Sequence, residues 1–177
     1  MKDLPPAKDP IEAMGEAYEL LLEDALKETH KIEQKTGPAL HHAIDEAGIR
    51  AAKLAQLTRE EAEKLAGYLK RDLIDAARYI KESGKDFRAW FGFDVGLIRD
   101  RLRELFTQAA DQTTVELREL KEQASGYHTG EITGPGTLCC NECGELLHFH
   151  RPGHIPPCPK CHGTVFRRAT SGEDIRH

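Results

Sequence analysis

The first part of the chain repeats apolar residues at spacings of three and four, the period of an amphipathic helix. One run begins at Asp9-Pro10, where the Asp side chain can cap exposed amides and Pro favours the first helical position. A second run follows Gly37-Pro38, so we predict two helices here. Their apolar positions are Ile11, Met14, Tyr18, Leu21, Ala25 and Ile32 in the first run, and Leu40, Ile44, Ala47, Ala51 and Leu54 in the second.

A third helical run begins at Thr58-Arg-Glu-Glu61, the spacing of a capping box. It continues with the same apolar period until Ser83-Gly84. Two interpretations fit this pattern. Either the chain reverses at Leu57-Thr58, or residues 38–82 form one long kinked helix.

The last helical run lies between Asp94, a candidate N-cap, and Gly126, a candidate stop. None of the four runs can bury its apolar stripe alone, so the helices must pack together. The pattern therefore predicts a mainly α fold class. Residues 1–126 form a coiled-coil-like helical domain, either an antiparallel helical bundle or a long helical hairpin.

The chain changes character at Gly126, because frequent glycines break residues 127–177 into short runs. Three of these runs favour strands: 137–139, 146–150 and 164–167. Residues 127–177 contain few large apolar side chains, and burying so few of them seldom supplies enough free energy to fold a region of this size. We therefore predict a second, small β domain over residues 127–177 that depends on a metal.

Two Cys-x-x-Cys knuckles in this tail specify the metal chemistry. Four thiolates in this arrangement are the ligand set of a tetrahedral, structural zinc ribbon, with iron as the second choice. The alternative, a disulfide pair or a redox dithiol, fits less well because the knuckles flank strand-like runs rather than open a helix. A site filled by four sulfurs leaves no position for a catalytic water. The predicted ligands are Cys140, Cys143, Cys158 and Cys161, with Cys139 left over as a strand residue.

The charge and hydropathy of the chain limit the partners and the cellular compartment that we expect. The 177 residues carry 25 Lys and Arg against 30 Asp and Glu, a formal net charge of -5. An acidic chain has no general attraction for phosphates. No apolar run is long enough to cross a membrane, and the start lacks a signal-peptide core. Free thiols suit a reducing compartment, so we expect a cytoplasmic protein.

The chain resembles the bacterial zinc-ribbon-containing, YbeL-like family. The resemblance is most specific over residues 126–138 (Gly-Tyr-His-Thr-Gly-Glu-Ile-Thr-Gly-Pro-Gly-Thr-Leu) and the four knuckle cysteines. It extends loosely to residues 57–65 and 70–73 of the helices. The resemblance implies a helical region joined to a C-terminal zinc ribbon, a bound zinc and a cytoplasmic location. It implies no reaction.

A second resemblance, to rubrerythrin, would require a di-iron centre in the helices. Such a centre takes Glu-x-x-His from each of two helices. The helical histidines are His30, His41 and His42, and the residues three positions before them are Lys27, Pro38 and Ala39. The required carboxylates are missing, which argues against an iron peroxidase.

Histidines are concentrated in the tail and suggest two further hypotheses. His148, His150, His154 and His162 form a second metal site or a pH-sensitive face or, more simply, lie exposed at a hairpin tip. His128 and Glu131 form an acid-base pair or, more simply, hydrogen-bond the loop that docks the ribbon on the last helix.

Four aromatic residues lie close together at Phe87, Trp90, Phe91 and Phe93. Large rings usually fill a core, so we predict that they plug the end of the helical region. The alternative is an exposed anchor for a partner or for stacked bases.

These patterns favour a non-enzymatic interaction protein in which a zinc ribbon serves as the recognition head for a protein partner. The alternative is a nucleic-acid or transcription-associated ribbon. That alternative would use Lys160, Arg167 and Arg168 with Phe166 on one strand surface. We identify no nucleophile and base pair typical of an enzyme, so no catalytic residue is predicted.

Overall fold

The computed structural model describes residues 10–30, 39–54, 57–84, 87–116 and 126–169. Within these ranges the helices are α1 (Pro10–His30), α2 (Ala39–Leu54), α3 (Arg59–Ser83) and α4 (Asp100–Glu116). Two short 3-10 turns, Phe87–Phe91 and Val95–Leu97, lie between α3 and α4. Short strands follow the helices. The predicted combination of a mainly α region and a small β region is confirmed.

The boundary between α2 and α3 decides between the two interpretations of residues 38–82. They form two helices, because α2 ends at Leu54 and α3 begins at Arg59. The predicted capping box starts α3: the Glu61 amide donates to Thr58 Oγ1 (3.1 Å), and the Glu61 carboxylate accepts from the Thr58 amide (2.8 Å). Gly84 ends α3 with a left-handed φ of 64°, which glycine adopts without a steric penalty.

The prediction that Asp94 caps the last helix is wrong. Its side chain accepts from the Gly96 amide (2.9 Å) and caps the 3-10 turn Val95–Leu97 instead. Ile98 is extended (φ -91°, ψ 134°), so the helical path is interrupted and α4 starts only at Asp100. The predicted end of this helix at Gly126 cannot be compared, because residues 117–125 lie outside the described ranges, as does the predicted cap Asp9.

The apolar stripes of the helices face one another and form the larger core. Each helix packs on the one that follows it, and α1 also contacts α4. Among the described helices, no segment combines the length and apolar character that a bilayer crossing requires. Stripe residues with full burial include Tyr18, Leu21, Ala25, Leu40, Ile44, Ala47, Leu69, Leu73, Ala76, Phe106 and Ala109.

The strands form two small antiparallel sheets. They are β1 (Tyr127–His128), β2 (Ile132–Thr133), β3 (Gly136–Cys140), β4 (Leu146–Phe149), β5 (Gly153–His154) and β6 (Val165–Ala169). The larger sheet has the order β1-β6-β3-β4, and β2 pairs with β5. The three predicted strands correspond to β3, β4 and β6. In the register, Leu138 lies opposite both Leu147 and Arg168.

The ribbon, residues 127–169, is packed directly on the helices. Ile132 of β2 belongs to the helical core rather than to the ribbon's own small core. A Cβ added at Gly15 of α1 would lie 2.7 Å from the Pro152 carbonyl oxygen, so α1 touches the ribbon backbone. The division into domains at residues 126 and 127 stays a prediction.

Candidate metal centre

The two Cys-x-x-Cys knuckles sit at the end of the ribbon away from the 3-10 turns. The first begins where β3 ends, and its turn is closed by the Gly144 amide, which donates to the Cys140 carbonyl (3.0 Å). In the second, the His162 amide donates to the Cys158 carbonyl (2.9 Å). A Cβ at Gly163 would lie 3.1 Å from Cys140 Sγ, so a side chain there would crowd the sulfurs.

The knuckles bring together the four predicted cysteines. Their Sγ atoms all lie within 4.8 Å of one another, and the pairs Cys140–Cys161 and Cys143–Cys158 are each 3.5 Å apart. Sulfurs about 2.3 Å from one metal at tetrahedral corners would be roughly 3.8 Å apart, so the quartet fits zinc in size and ligand type. With four sulfurs present, such a metal would have no open position.

All four cysteines can be thiolates at the same time only if a cation balances their negative charges. Burial opposes ionisation of Cys158, but the amides of Cys161 and Lys160 and the neighbouring thiols lower its pKa to about 7. The Gly163 amide lowers the pKa of Cys161, but the thiol of Cys143 and its neighbours outweigh it and raise that pKa to about 12. One thiolate forms readily and further ones are opposed, which a bound divalent metal would reverse.

Cys139 lies outside this quartet. It is buried on β3, and its Sγ contacts the Cys140 carbonyl oxygen at 3.7 Å. Neighbouring residues of a strand point to opposite faces, so Cys139 cannot join Cys140 at the same site. It is a strand residue, as the sequence indicates.

Comparison with known proteins agrees with this geometry. A family model described as "Zinc-ribbon containing domain" matches residues 27–170. The chain belongs to this family. It is 32% identical over 132 residues to the "Uncharacterized protein YbeL" of Escherichia coli strain K12, covering 71% of this chain and 79% of the relative. The protein of the same name in Escherichia coli O157:H7 matches equally. No solved structure matches.

A buried ionic network attaches the ribbon to the helices at the end away from the knuckles. Asp72 of α3 is fully buried, and Arg168 of β6 donates to its Oδ1 (3.3 Å). Arg168 also donates to Tyr127 Oη (3.2 Å), and its guanidinium lies 4.3 Å from the centre of the Trp90 ring. Burial disfavours the charged guanidinium, but Tyr127, Asp72 and Asp75 raise the pKa of Arg168, which therefore stays charged.

The other oxygen of Asp72 joins α1 to the ribbon. Tyr18 Oη donates to Asp72 Oδ2 (2.6 Å), and the Gly134 amide donates to the same atom (2.7 Å). A Cβ at Gly134 would lie 2.4 Å from Tyr18 Oη, so only glycine fits this contact. This role of Asp72 was not predicted from the sequence. The available signal was a carboxylate at the helical spacing of an apolar stripe, between Leu69 and Ala76.

Glu131 and His128 extend the network. His128 Nδ1 lies 3.1 Å from Glu131 Oε1, and Arg71 of α3 donates to both oxygens of Glu131 (3.2 and 3.3 Å). Arg71 also donates to the Ile132 carbonyl (2.9 Å). His128 and Glu131 therefore fix the loop that docks the ribbon on the helices. The prediction placed this loop against the last helix, whereas the structure places it against α3. The reason is that α3 presents the cation that Glu131 needs.

The aromatic cluster is part of the core. Trp90 and Phe91 are 0% and 1% exposed, and Trp90 stacks on Phe106 with ring centres 5.4 Å apart. The prediction that large rings fill the helical core is confirmed for these two residues. Phe93 is half-buried, and the side chain of Phe87 lies outside the described residues. Trp90 and Phe91 are therefore not an exposed anchor.

The nucleic-acid surface proposed from the sequence does not form as predicted. Lys160 and Arg167 are exposed, but Phe166 is 1% and Arg168 8% exposed. Phe166 packs into the ribbon core and Arg168 binds Asp72, because these two residues, two positions apart in β6, share the covered side of the sheet, whereas Arg167 between them faces the exposed side. Neither Phe166 nor Arg168 can contact a base or a phosphate.

The tail histidines do not gather around a second metal. In the part of the chain that the structure describes, the cysteine quartet is the only group of three or more side chains placed to bind one. His148 is held by Thr137, whose Oγ1 is 2.9 Å from its Nδ1. His150 meets the edge of Phe93, with ring centres 4.9 Å apart. The hypothesis of a second site is therefore wrong for the described residues.

Proposed function

We propose that the protein is a non-enzymatic interaction protein of the cytoplasm whose ribbon, held by a structural zinc at Cys140, Cys143, Cys158 and Cys161, is the recognition head for a protein partner. The observation that carries this proposal is the closed sulfur quartet at the exposed end of a ribbon whose other end is buried against the helices. In this proposal the helices serve as an antiparallel bundle that carries the ribbon. The chemistry that four sulfurs supply is structural, because no ligand position is left for substrate.

The surface offered to a partner is the end of the ribbon around the knuckles. It carries one acidic and one basic side chain, Glu142 and Lys160, among uncharged prolines and Asn141, so it has no excess of positive charge for a phosphate backbone and suits a protein surface better. The exposed residues there are Asn141, Glu142, Pro156, Pro157, Pro159, Lys160 and His162. Among the described residues, the one ion pair of Lys160 is a long contact with Glu145 (3.9 Å), and its side chain is 64% exposed, so it is accessible to an acidic group of a partner.

The metal is tested by elemental analysis of protein purified without chelator. We expect about one equivalent of zinc per chain. Iron in its place would support the second choice of metal, and less than half an equivalent of any metal would contradict the site. Replacing Cys143 with Ser should reduce zinc content, whereas Cys139→Ser, the matched control outside the quartet, should leave it unchanged.

The recognition role is tested by capture from native cells with a tagged protein. We expect Lys160→Glu to weaken capture of the partner, because it reverses a charge on the exposed end of the ribbon. The matched control is Lys81→Glu, an exposed charge reversal near the end of α3. Equal capture by both variants would remove this surface from the proposal. Nucleic acid as the captured species, released by salt, would favour the alternative function.

A further inference from the structure

A cleft of about 710 Å³ opens between the helices and the ribbon, at the end of the ribbon away from the knuckles. Helix α1 and the start of α4 form one side of it, and the end of β4 with the loop to β5 forms the other. The two sides meet where Gly15 of α1 packs against the Pro152 carbonyl. Sites for small molecules are clefts of roughly 300–1,000 Å³, so this cleft has the size of a small-molecule site.

The cleft presents apolar surface on both of its sides. Leu97, in the 3-10 turn before α4, is 57% exposed and lines the helical side. Phe149, the last residue of β4, is half-buried and lines the ribbon side. Small-molecule sites combine such apolar surface with a few polar groups that orient the ligand. The polar groups therefore decide which ligand this cleft can bind.

The charged side chains of the cleft are unequally paired. Glu19 of α1 forms an ion pair with Arg99, which lies just before α4, and Glu16 has an interaction of its own. Arg151, in contrast, is exposed and makes no hydrogen bond or ion pair with the described residues. With the histidines neutral, the two arginines and the two glutamates of the lining sum to no net charge. The cleft thus offers a single unpaired guanidinium rather than a basic patch.

This charge balance selects a class of ligand. A guanidinium binds a planar carboxylate through two parallel hydrogen bonds. A phosphate dianion would bring more negative charge than Arg151 alone balances, close to the carboxylates of Glu16 and Glu19. A cationic ligand would have to take one of these carboxylates from its present interaction. The cleft therefore favours a monoanion with an apolar body.

We propose that this cleft binds a small organic monocarboxylate, with the carboxylate at Arg151 and the apolar body against Leu97 and Phe149. Such a ligand contacts the helical region and the ribbon at once. The site lies away from the knuckles and uses none of the residues assigned to partner recognition. The inference therefore stands apart from the proposed function, and either can fail without the other.

The test is an NMR titration of the zinc-loaded, full-length chain with phenylacetate as the probe. We expect saturable binding in the millimolar range that so small a ligand can reach, with the largest amide shifts at Leu97, Arg99 and residues 149–153. Phenylacetamide, the neutral analogue of the same shape, should bind roughly tenfold more weakly, because it lacks the charge that Arg151 binds. Acetate, which lacks the ring, and phenyl phosphate, a dianion, should also bind more weakly.

Two variants test the assigned contacts. Arg151→Gln should weaken phenylacetate binding roughly tenfold, because it removes the unpaired charge of the cleft. Leu97→Ala should weaken it about threefold through the loss of apolar contact. Both side chains are exposed, so circular dichroism and zinc content should stay unchanged. Arg167→Gln makes the same change at an exposed position of β6 outside the cleft and should bind phenylacetate like the wild type.

The proposal has three ways to fail in this experiment. A wild-type chain that shows no saturable binding of phenylacetate would overturn it. Equal binding of phenylacetate and phenylacetamide would also overturn it, because the carboxylate would then contribute nothing. The third is binding that shifts only amides outside the cleft or that Arg151→Gln leaves unchanged.

Discussion

The two ends of the ribbon are stabilised by different chemistry. The end that meets the helices is held by buried charges, with Asp72 binding Arg168, Tyr18 and the Gly134 amide. The far end has four clustered sulfurs, two of which, Cys140 and Cys158, belong to the ribbon's own small core. One small sheet therefore has two chemically different supports. One comes from the helices, and the other would come from the metal.

Metal removal should separate these supports most strongly. Structural zinc supplies roughly 10–16 kcal/mol of apparent binding free energy in small modules. We therefore expect chelation to expose the amides of the knuckles, such as Gly144 and Cys158, to rapid hydrogen exchange. The Gly134 amide and the helices should stay protected, because Asp72 and the apolar core remain. Simultaneous loss of all protection would show that the two ends form one cooperative unit.

Removal of the central carboxylate tests the helix-facing end. Asp72→Ala leaves Arg168 buried with a weaker partner, Asp75 at 3.7 Å. Breaking a buried ion pair on one side costs about 3–5 kcal/mol, measured here as a loss in the free energy of unfolding by urea. The double variant Asp72→Ala/Arg168→Met should regain part of this loss, because it removes the unpaired charge as well. A loss below about 1 kcal/mol for Asp72→Ala would contradict the role of this network.

Trp90 lies where the two regions meet, between Phe106 and Arg168. Trp90→Ala should lower the free energy of unfolding by about 3–5 kcal/mol, because it leaves a cavity in the larger core. Leu97→Ala is the control, since Leu97 is 57% exposed and should change stability by no more than about 0.5 kcal/mol. Thermal melting checks both. A Trp90→Ala protein as stable as the control would show that this ring does not join the regions.

A smaller effect concerns the helices alone. His41 is buried beside Thr113, and burial, with help from the charge of Lys70, lowers its pKa to about 4. The unfolded chain takes up this proton near pH 6.5, and the folded chain does so only near pH 4. The folded state therefore loses about 1.4 kcal/mol per pH unit from this group as pH falls through that window, about 3 kcal/mol in all.

The measurement compares how the free energy of unfolding depends on pH in the wild type and in two histidine variants, all of which keep the four cysteines. His41→Gln should show a flatter fall in unfolding free energy between pH 6.5 and 4 than the wild type. His42→Gln changes an exposed histidine and should follow the wild type. Parallel curves for all three proteins would mean that His41 titrates normally in the folded chain.

Local sequence patterns predicted much of the structure of this protein. The apolar period predicted the buried stripes, the Thr58 capping box predicted the start of α3, and the knuckle spacing predicted which sulfurs meet. Each of these features involves residues close in sequence or a spacing with one geometric solution. The sequence did not predict where the α4 path is interrupted, because Asp94 can cap a 3-10 turn as well as an α-helix.

Only the tertiary structure decided which polar residues are buried and what they bind. The sequence pattern assigned Arg168 to an exposed basic surface. In the structure it is buried and binds Asp72, 96 positions earlier in the chain. Glu131 pairs with Arg71 of α3 rather than with a residue of the last helix. Strand β4 lies at the edge of the sheet because the other side of β3 pairs with β6. These outcomes depend on how the ribbon sits on the helices, and no local pattern encodes that position. Apolar period and ligand spacing are local properties, whereas the partner of a buried charge is set by the packing of distant elements.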